Sequence, residues 1–236
     1  MIRSLAVLWR TAWAPREGMR ARAAQRPGLM DSALGLLAWR TGPALAALVL
    51  GYRELAEALQ SLARMSGPAW DPVWARLPEG VRPEDLRAAM DQLPMPPPWP
   101  RLLPWFVLLA PLAVLSIWLH DAVWDHLGLW LLRGLKHRRS FRETLVAEAE
   151  ALKVGLIAAL AGLLKYLPGV GFAFGVLVLP LAAYFWILRG YALAAWHGCP
   201  VWKGVLATIL NAAFMGLLVL GILGAFILLV FTALHG

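Results

Sequence analysis

Cysteine is nearly absent from this chain, since Cys199 is the only one among 236 residues. A single thiol excludes an intramolecular disulfide framework, and no CxxC pair or Cys/His cluster has the spacing of a structural zinc site. The sequence also lacks HExxH, GxSxG and P-loop motifs. It therefore predicts no enzyme, no cofactor and no resident metal, and Cys199 is expected to be a buried, inert thiol.

Charged residues are also scarce. They make up 15% of the chain against about a quarter in ordinary globular proteins, whereas 60% of the residues are hydrophobic and the mean hydropathy is +0.64. This composition predicts an all-α, polytopic membrane protein. The formal net charge of +8 does not indicate nucleic acid, because the basic residues flank apolar segments instead of forming one solvated stripe.

Five stretches are apolar enough to cross a bilayer core of about 30 Å. They lie at about 29–52, 103–124, 151–167, 170–196 and 205–234. Residues 1–28 have apolar side chains at helical spacing and no cleavage site of small residues, which favours an interfacial amphipathic helix over a signal peptide; the alternative is a disordered tail. Residues 53–102 form a nearly neutral loop whose middle, VRPEDLRAAMDQL, predicts a short helix.

Lys and Arg predict the orientation of these spans. Residues 1–28 hold six Arg against one Glu, the segment RGLKHRRSFR holds five more Lys or Arg, and Lys203 opens the last span. In a five-span chain these regions share one side, so the N-terminus is expected in the cytoplasm and the C-terminus outside, with 53–102 extracytoplasmic. The Arg-, Ala- and Trp-rich usage suggests a high-GC bacterium, so the expected location of these spans is the bacterial plasma membrane.

The basic loop after the second span is a candidate surface for lipid or partner binding. Each basic side chain near an anionic membrane contributes about 1 kcal/mol. The alternative is that this loop only fixes the topology. Ser140 and Glu143 have the spacing of a capping box for the next helix. The candidate binding residues are Lys136, Arg138, Arg139 and Arg142.

Polar residues inside the apolar stretches form a second group of candidates. A charge at the bilayer centre costs at least about 2.5 kcal/mol unless it pairs or snorkels. Arg40 is therefore expected either to pair with Asp31 or Asp121 or to snorkel, and Thr41–Pro43 is expected to kink the first span. Asn211 and Arg189 lie in later spans and raise the same question.

The stretch LHDAVWDHLG, residues 119–128, contains two imidazoles and two carboxylates. On a regular helix Asp121 and Asp125 share a face, but His126 points away from His120, so one helix cannot assemble all four. His197 is predicted on the same membrane side as His126. Together with a carboxylate the two imidazoles could hold a transition metal, although a structural hydrogen-bonding role is the favoured reading; solvated side chains are the third option.

Several short motifs occur in the order and spacing of a known domain. They are AWAPREGMRARAAQRPG, DHLGLWLLRG, SFRETL, KYLPGVG and WHGCPVWKGVLATIL. Together they cover most of the chain and resemble the bacterial branch of the Yip1-domain family. The resemblance implies five spans, a cytoplasmic N-terminus and a role in membrane organisation. The basic loop LKHRRSF and the run AEAEALK depart from the family pattern, so no partner of better-known relatives is carried over. The bacterial residue usage likewise excludes carrying over vesicle traffic or GTPase binding.

Two functions remain open from the sequence. The first is an organisational membrane protein that scaffolds lipids or partner proteins. Small residues at helix-contact spacing in the third span favour close helix packing within the protein, and a homo-oligomer face is the alternative; they are Gly155, Ala159 and Gly162. The second is a small transporter or lipid-translocating protein in which Arg40, Asn211 and the Asp121/Asp125 pair line a polar path. A path requires these residues to converge on a cavity, whereas a scaffold requires them paired or at an interface.

Overall fold

The computed structural model describes residues 2–63, 84, 88, 96–135, 140–167 and 169–235. Across these residues the chain is all-α. Its helices are α1 (Ile2–Trp13), α2 (Pro15–Ala24), α3 (Leu29–Ala63), α4 (Trp99–Leu131), α5 (Phe141–Val154), α6 (Leu156–Leu163), α7 (Gly171–His197) and α8 (Val201–His235), with a 3-10 turn at Leu164–Tyr166.

The chain divides into two compact units. The larger unit contains Met1–Pro43 and Pro111–Gly236, and the smaller contains Ala44–Ala110. In the smaller unit the Tyr52 hydroxyl donates to the carbonyl of Pro97 at 2.5 Å, and the rings of Tyr52 and Phe106 lie 5.6 Å apart. All candidate functional residues that the structure describes lie in the larger unit.

Among the described residues, three helices are long and apolar enough to cross a membrane: Leu29–Ser61, Trp99–Leu131 and Val201–Phe226. They coincide with the first, second and fifth apolar stretches of the sequence. Large apolar side chains are exposed along α4 and α8, among them Trp105, Leu112, Leu217 and Leu220. Lipid is the environment in which such surfaces are stable, so the chain is a helical membrane-associated protein.

The third apolar stretch, residues 151–167, is predicted as one continuous crossing, but the structure divides it between two helices. α5 ends at Val154, Gly155 breaks the helix, and α6 is only eight residues long. A Cβ at Gly155 would collide with the ring of Phe185, so α7 approaches the backbone there. The fourth stretch corresponds to α7, which ends at Gly198 in the left-handed conformation (φ +62°) that favours glycine.

The core of the larger unit is built by α1, α2, α5 and the second half of α7. Leu8 from α1 and Met19 from α2 pack with α5 and α7 side chains that include Val146, Leu188 and Leu193. The N-terminal stretch is therefore helical, as its apolar spacing predicts, and it docks onto the protein. On α1, Trp9 and Trp13 remain 54% and 75% exposed.

Close helix contacts involve Gly155, as predicted from the third stretch, and also two glycines that the sequence did not single out. A Cβ at Gly204 would collide with the carbonyl oxygen of Gly190, and a Cβ at Gly190 would lie 2.5 Å from the Cα of Val205. These two glycines let α7 and α8 approach backbone to backbone. A Cβ at Gly162, in contrast, would meet nothing within 4 Å.

Two predictions fall outside the described residues. The first is the short helix predicted within residues 81–93, of which only positions 84 and 88 are described. The second is the basic loop, where Lys136, Arg138 and Arg139 are outside the described residues. The triple proline run precedes α4, which begins at Trp99. α3 continues through Pro43 as one helix.

Candidate functional site: a buried polar network

Arg189 is the centre of a buried ionic network. Its Nε donates to Oε2 of Glu148 at 2.9 Å, its Nη1 lies 3.2 Å from Oδ2 of Asp121, and its Nη2 donates to Oδ2 of Asp125 at 2.8 Å. All three guanidinium nitrogens therefore face a carboxylate. The network connects α4, α5 and α7 through one side chain.

Asn211 brings α8 into the same network. Its Nδ2 donates to Oδ1 of Asp125 at 2.8 Å and lies 3.4 Å from Oδ1 of Asp121. Asp121 and Asp125 are one turn apart on α4, so one face of that helix meets both Arg189 and Asn211. His120 flanks the network, with Nδ1 3.4 Å from Oδ1 of Asp121 and Nε2 2.9 Å from the sulfur of Met215.

The network holds more carboxylates than guanidinium groups. Three acidic side chains contact Arg189, and Arg40 adds an electrostatic interaction with Asp121. Glu148 is completely buried and lies next to both Arg189 and Asp125.

Arg40 is held by the backbone. Its Nη1 donates to the carbonyl oxygen of Gly155 at 2.9 Å, at the break between α5 and α6. Within the described residues it forms no salt bridge shorter than 4 Å with Asp31 or Asp121, the two partners considered from the sequence, and Asp31 is exposed. Arg40 thus connects α3 to the C-terminal end of α5.

His126 and His197 meet through a threonine. The Nδ1 of His126 lies 2.7 Å from Oγ1 of Thr144, and the same oxygen lies 2.9 Å from Nε2 of His197. Thr144 and His197 are completely buried. The hydroxyl has one proton to donate, so it donates to one imidazole and accepts from the other, which requires one of the two facing nitrogens to carry no proton. In the described part of the chain no group of three or more His, Cys, Asp or Glu could hold a metal ion.

A second buried ionic cluster surrounds Glu150 on α5. Arg22 of α2 donates from Nε to Oε2 at 2.6 Å, and Ser32 of α3 donates from Oγ to Oε1 at 2.8 Å. Lys153, one turn along α5, forms an ion pair with the same carboxylate. Glu150 therefore fastens α2 and α3 to α5.

Sequence reasoning missed Glu148 and Glu150. The available signal was the run AEAEALK, in which two acidic residues alternate with alanines directly before an apolar stretch. The predicted capping box is not formed: Ser140 is the N-cap residue of α5 (φ −75°, ψ 157°), but its side chain makes no capping hydrogen bond. Glu143 instead bonds through its backbone amide to the carbonyl of Ser140 at 3.0 Å.

Comparison of the chain with protein-family models, curated proteins and solved structures finds no match.

Proposed function

We propose that this chain is a Yip1-like protein of the bacterial plasma membrane that organises lipids or partner proteins instead of moving a solute. One observation carries the proposal: the polar side chains within the apolar helices are paired with one another. Asp125 is 0% exposed, Asn211 3% and Arg189 4%. A solute path needs such groups to face a cavity, and their mutual pairing favours a structural use.

The family resemblance is supported by hydrogen bonds among three residues that are far apart in the sequence. His126, Thr144 and His197 belong to three different motifs of the resemblance, and they form one hydrogen-bonded set. Gly198, the partner of His197 in the His-Gly pair, ends α7 in the left-handed conformation. These residues thus have a shared structural role, as positions of one domain would.

The proposed topology has five spans, with the N-terminus in the cytoplasm. The α5–α6 pair, bent at Gly155, serves as the third crossing and α7 as the fourth. Three spans and five spans place both chain ends identically, so reporters at the termini test orientation alone: a cytoplasmic reporter should be active at the N-terminus and silent at Gly236. The opposite pattern would overturn the orientation.

The turn between α6 and α7 separates five spans from three. In a Cys199→Ala background, Gly169→Cys should react with a membrane-impermeant maleimide added outside intact cells, since five spans put this turn outside. Ser140→Cys, at the start of α5, is the matched control and should react only after lysis. Protection of residue 169 in intact cells, with labelling after lysis, would rule out five spans.

A proton-coupled transporter is the second candidate. It is favoured by the excess of buried carboxylates around Arg189. Full-length protein in vesicles loaded with a pH-sensitive dye distinguishes the two functions. An organisational protein should leave proton leakage at the level of protein-free vesicles, whereas a flux that Glu148→Gln abolishes would replace the organisational proposal.

A further inference from the structure

A cavity of about 570 Å³ lies between the end of α2, the first turn of α5 and the end of α7. This volume is within the range of about 300–1,000 Å³ typical of ligand sites. Three of its lining side chains are arginines from separate places: Arg20 from α2, Arg26 from the α2–α3 connection and Arg142 from α5. Glu143 and Trp196 also line it.

The arginines of this cavity form no ion pair with the residues that the structure describes. Arg20, Arg26 and Arg142 are exposed and have no salt bridge to a carboxylate in the described ranges. Arg22, on the same helix as Arg20, is by contrast paired with the buried Glu150. Against the single carboxylate of Glu143, the lining has a formal charge of +2, which favours an anionic occupant.

Local backbone structure adds to the anion preference. Arg26 has a positive φ of 47° and precedes Pro27, so the chain turns sharply there and Arg26 joins the cavity lining. The first turn of α5 contributes Arg142, and the side chain of Ser140 makes no bond to the amide groups at that helix end. Arginine forks and a helix N-terminus both suit phosphate oxygens.

The neighbouring helix indicates a membrane lipid as the source of that phosphate. α1 packs against α2 and exposes Trp9 and Trp13. Tryptophan is the side chain enriched at the headgroup level of bilayers, so this surface suits contact with a membrane interface. The cavity is lined in part by α2, the helix against which α1 packs, and this connection favours a lipid headgroup as its occupant.

We propose that this cavity binds the phosphate group of an anionic membrane lipid, with Arg20, Arg26 and Arg142 as the contacting side chains. The inference deepens the proposed lipid-organising role and rests on it. A lipid site of this kind depends on arginine at these three positions. A charge that only sets membrane topology would depend on the number of basic residues on one side of the membrane, whatever their positions.

The test is native mass spectrometry of the detergent-purified full-length chain, titrated with phosphatidylglycerol or with phosphatidylcholine. The wild type should bind phosphatidylglycerol more tightly. Arg142→Gln and Arg26→Gln should each weaken phosphatidylglycerol binding by about tenfold, as expected for loss of one charged hydrogen bond. Arg10→Gln is the matched control: it removes the same charge from an exposed site on α1 and should leave affinity within about twofold.

Equal losses in Arg10→Gln and the cavity variants would overturn the site, because net charge would then explain the binding. Unchanged affinity in both cavity variants would overturn it as well. Thermal unfolding in the same detergent checks that each variant is folded, and Arg20→Gln replaces either one that is not. The flux and maleimide experiments are independent, so either hypothesis can fail alone.

Inorganic phosphate distinguishes the two sources of the ligand. If millimolar phosphate raises the unfolding temperature of the wild type but not of Arg142→Gln, and phosphatidylglycerol has no advantage over phosphatidylcholine, the cavity takes a soluble phosphate. That outcome would overturn the assignment to a lipid. A phosphatidylglycerol preference that depends on Arg142 supports it.

Discussion

The Nη2 atom of Arg189 lies 2.8 Å from Oδ2 of Asp125, and both side chains are buried. This contact joins residues 64 positions apart and holds α7 against α4. Burying two charges costs much of what their attraction returns, so such a pair defines the arrangement of helices more than it adds stability. Breaking it from one side is a different matter, because the partner remains buried and uncompensated.

Arg189→Met should therefore be strongly destabilising. Asp121, Asp125 and Glu148 would lose the guanidinium that contacts all three, and removing one partner of a buried ion pair typically costs about 3–5 kcal/mol. The measurement is the unfolding transition of purified protein in detergent. Methionine has a similar length and no charge, so packing is largely kept.

Glu148→Gln is the companion variant and should cost about 1 kcal/mol or less. The amide oxygen of glutamine can still accept a hydrogen bond from Nε of Arg189, and Arg189 retains its contacts with Asp121 and Asp125. Glutamine also keeps the length and shape of the glutamate side chain, so packing around it is preserved. If Glu148→Gln proves as damaging as Arg189→Met, the network needs all three negative charges.

Thr144→Val should loosen the junction between α4, α5 and α7. Valine matches the shape of threonine but removes the hydroxyl that lies between His126 and His197, leaving polar nitrogens buried without it at a cost of about 1–3 kcal/mol. Thr144→Ser retains the hydroxyl and should lose less. Unfolding temperatures of the two variants decide between them, and a larger loss in Thr144→Ser would mean that the methyl group matters more than the bridge.

The sequence predicted local relationships in this network but not its partners. Asp121 and Asp125 could be placed on one helix face because spacing of four residues in a helix requires it. That Arg189, Asn211 and Glu148 complete the site depends on how α4, α5, α7 and α8 pack, and periodicity within one helix contains no such information. His126 and His197 were paired through predicted topology, but Thr144 between them was not foreseen.

The third apolar stretch illustrates a second limit. Hydropathy alone favours one continuous crossing at 151–167, and Gly155 is predicted as a small residue for close helix packing. The contact is real, since the Phe185 ring packs there, but it coincides with a break in the helix. A hydropathy profile measures composition along the chain and cannot indicate where backbone approach interrupts it.

Gly204→Ala should disturb the contact between α7 and α8. The added Cβ would collide with the backbone carbonyl of Gly190, which cannot move aside as a flexible side chain could. Overpacking of this kind costs about 1–3 kcal/mol. Gly216→Ala, on the same helix, has nothing within 4 Å of the new Cβ and should be neutral or slightly stabilising. Equal unfolding temperatures for the two variants would contradict the close approach.

The end of α4 offers a substitution that should increase stability. Arg133 has a φ of +50°, its amide donates to the carbonyl of Trp130 at 3.0 Å, and the amide of Gly134 donates to the carbonyl of Leu129 at 2.7 Å. This is a Schellman ending, in which glycine is the preferred residue at the left-handed position. α7 ends with glycine in that conformation, at Gly198.

Arg133→Gly should therefore raise the free energy of unfolding by about 0.5–1 kcal/mol, since relief of the left-handed strain outweighs the greater chain entropy of unfolded glycine. Lys203 donates to the backbone carbonyl of Arg133 at 3.0 Å, a bond that glycine preserves. Arg133→Ala is the control that distinguishes relief of backbone strain from loss of the positive charge, because it removes the same cation but keeps a Cβ at positive φ. Only the glycine variant should unfold at a higher temperature than the wild type; an equal gain in Arg133→Ala would assign the effect to the lost charge.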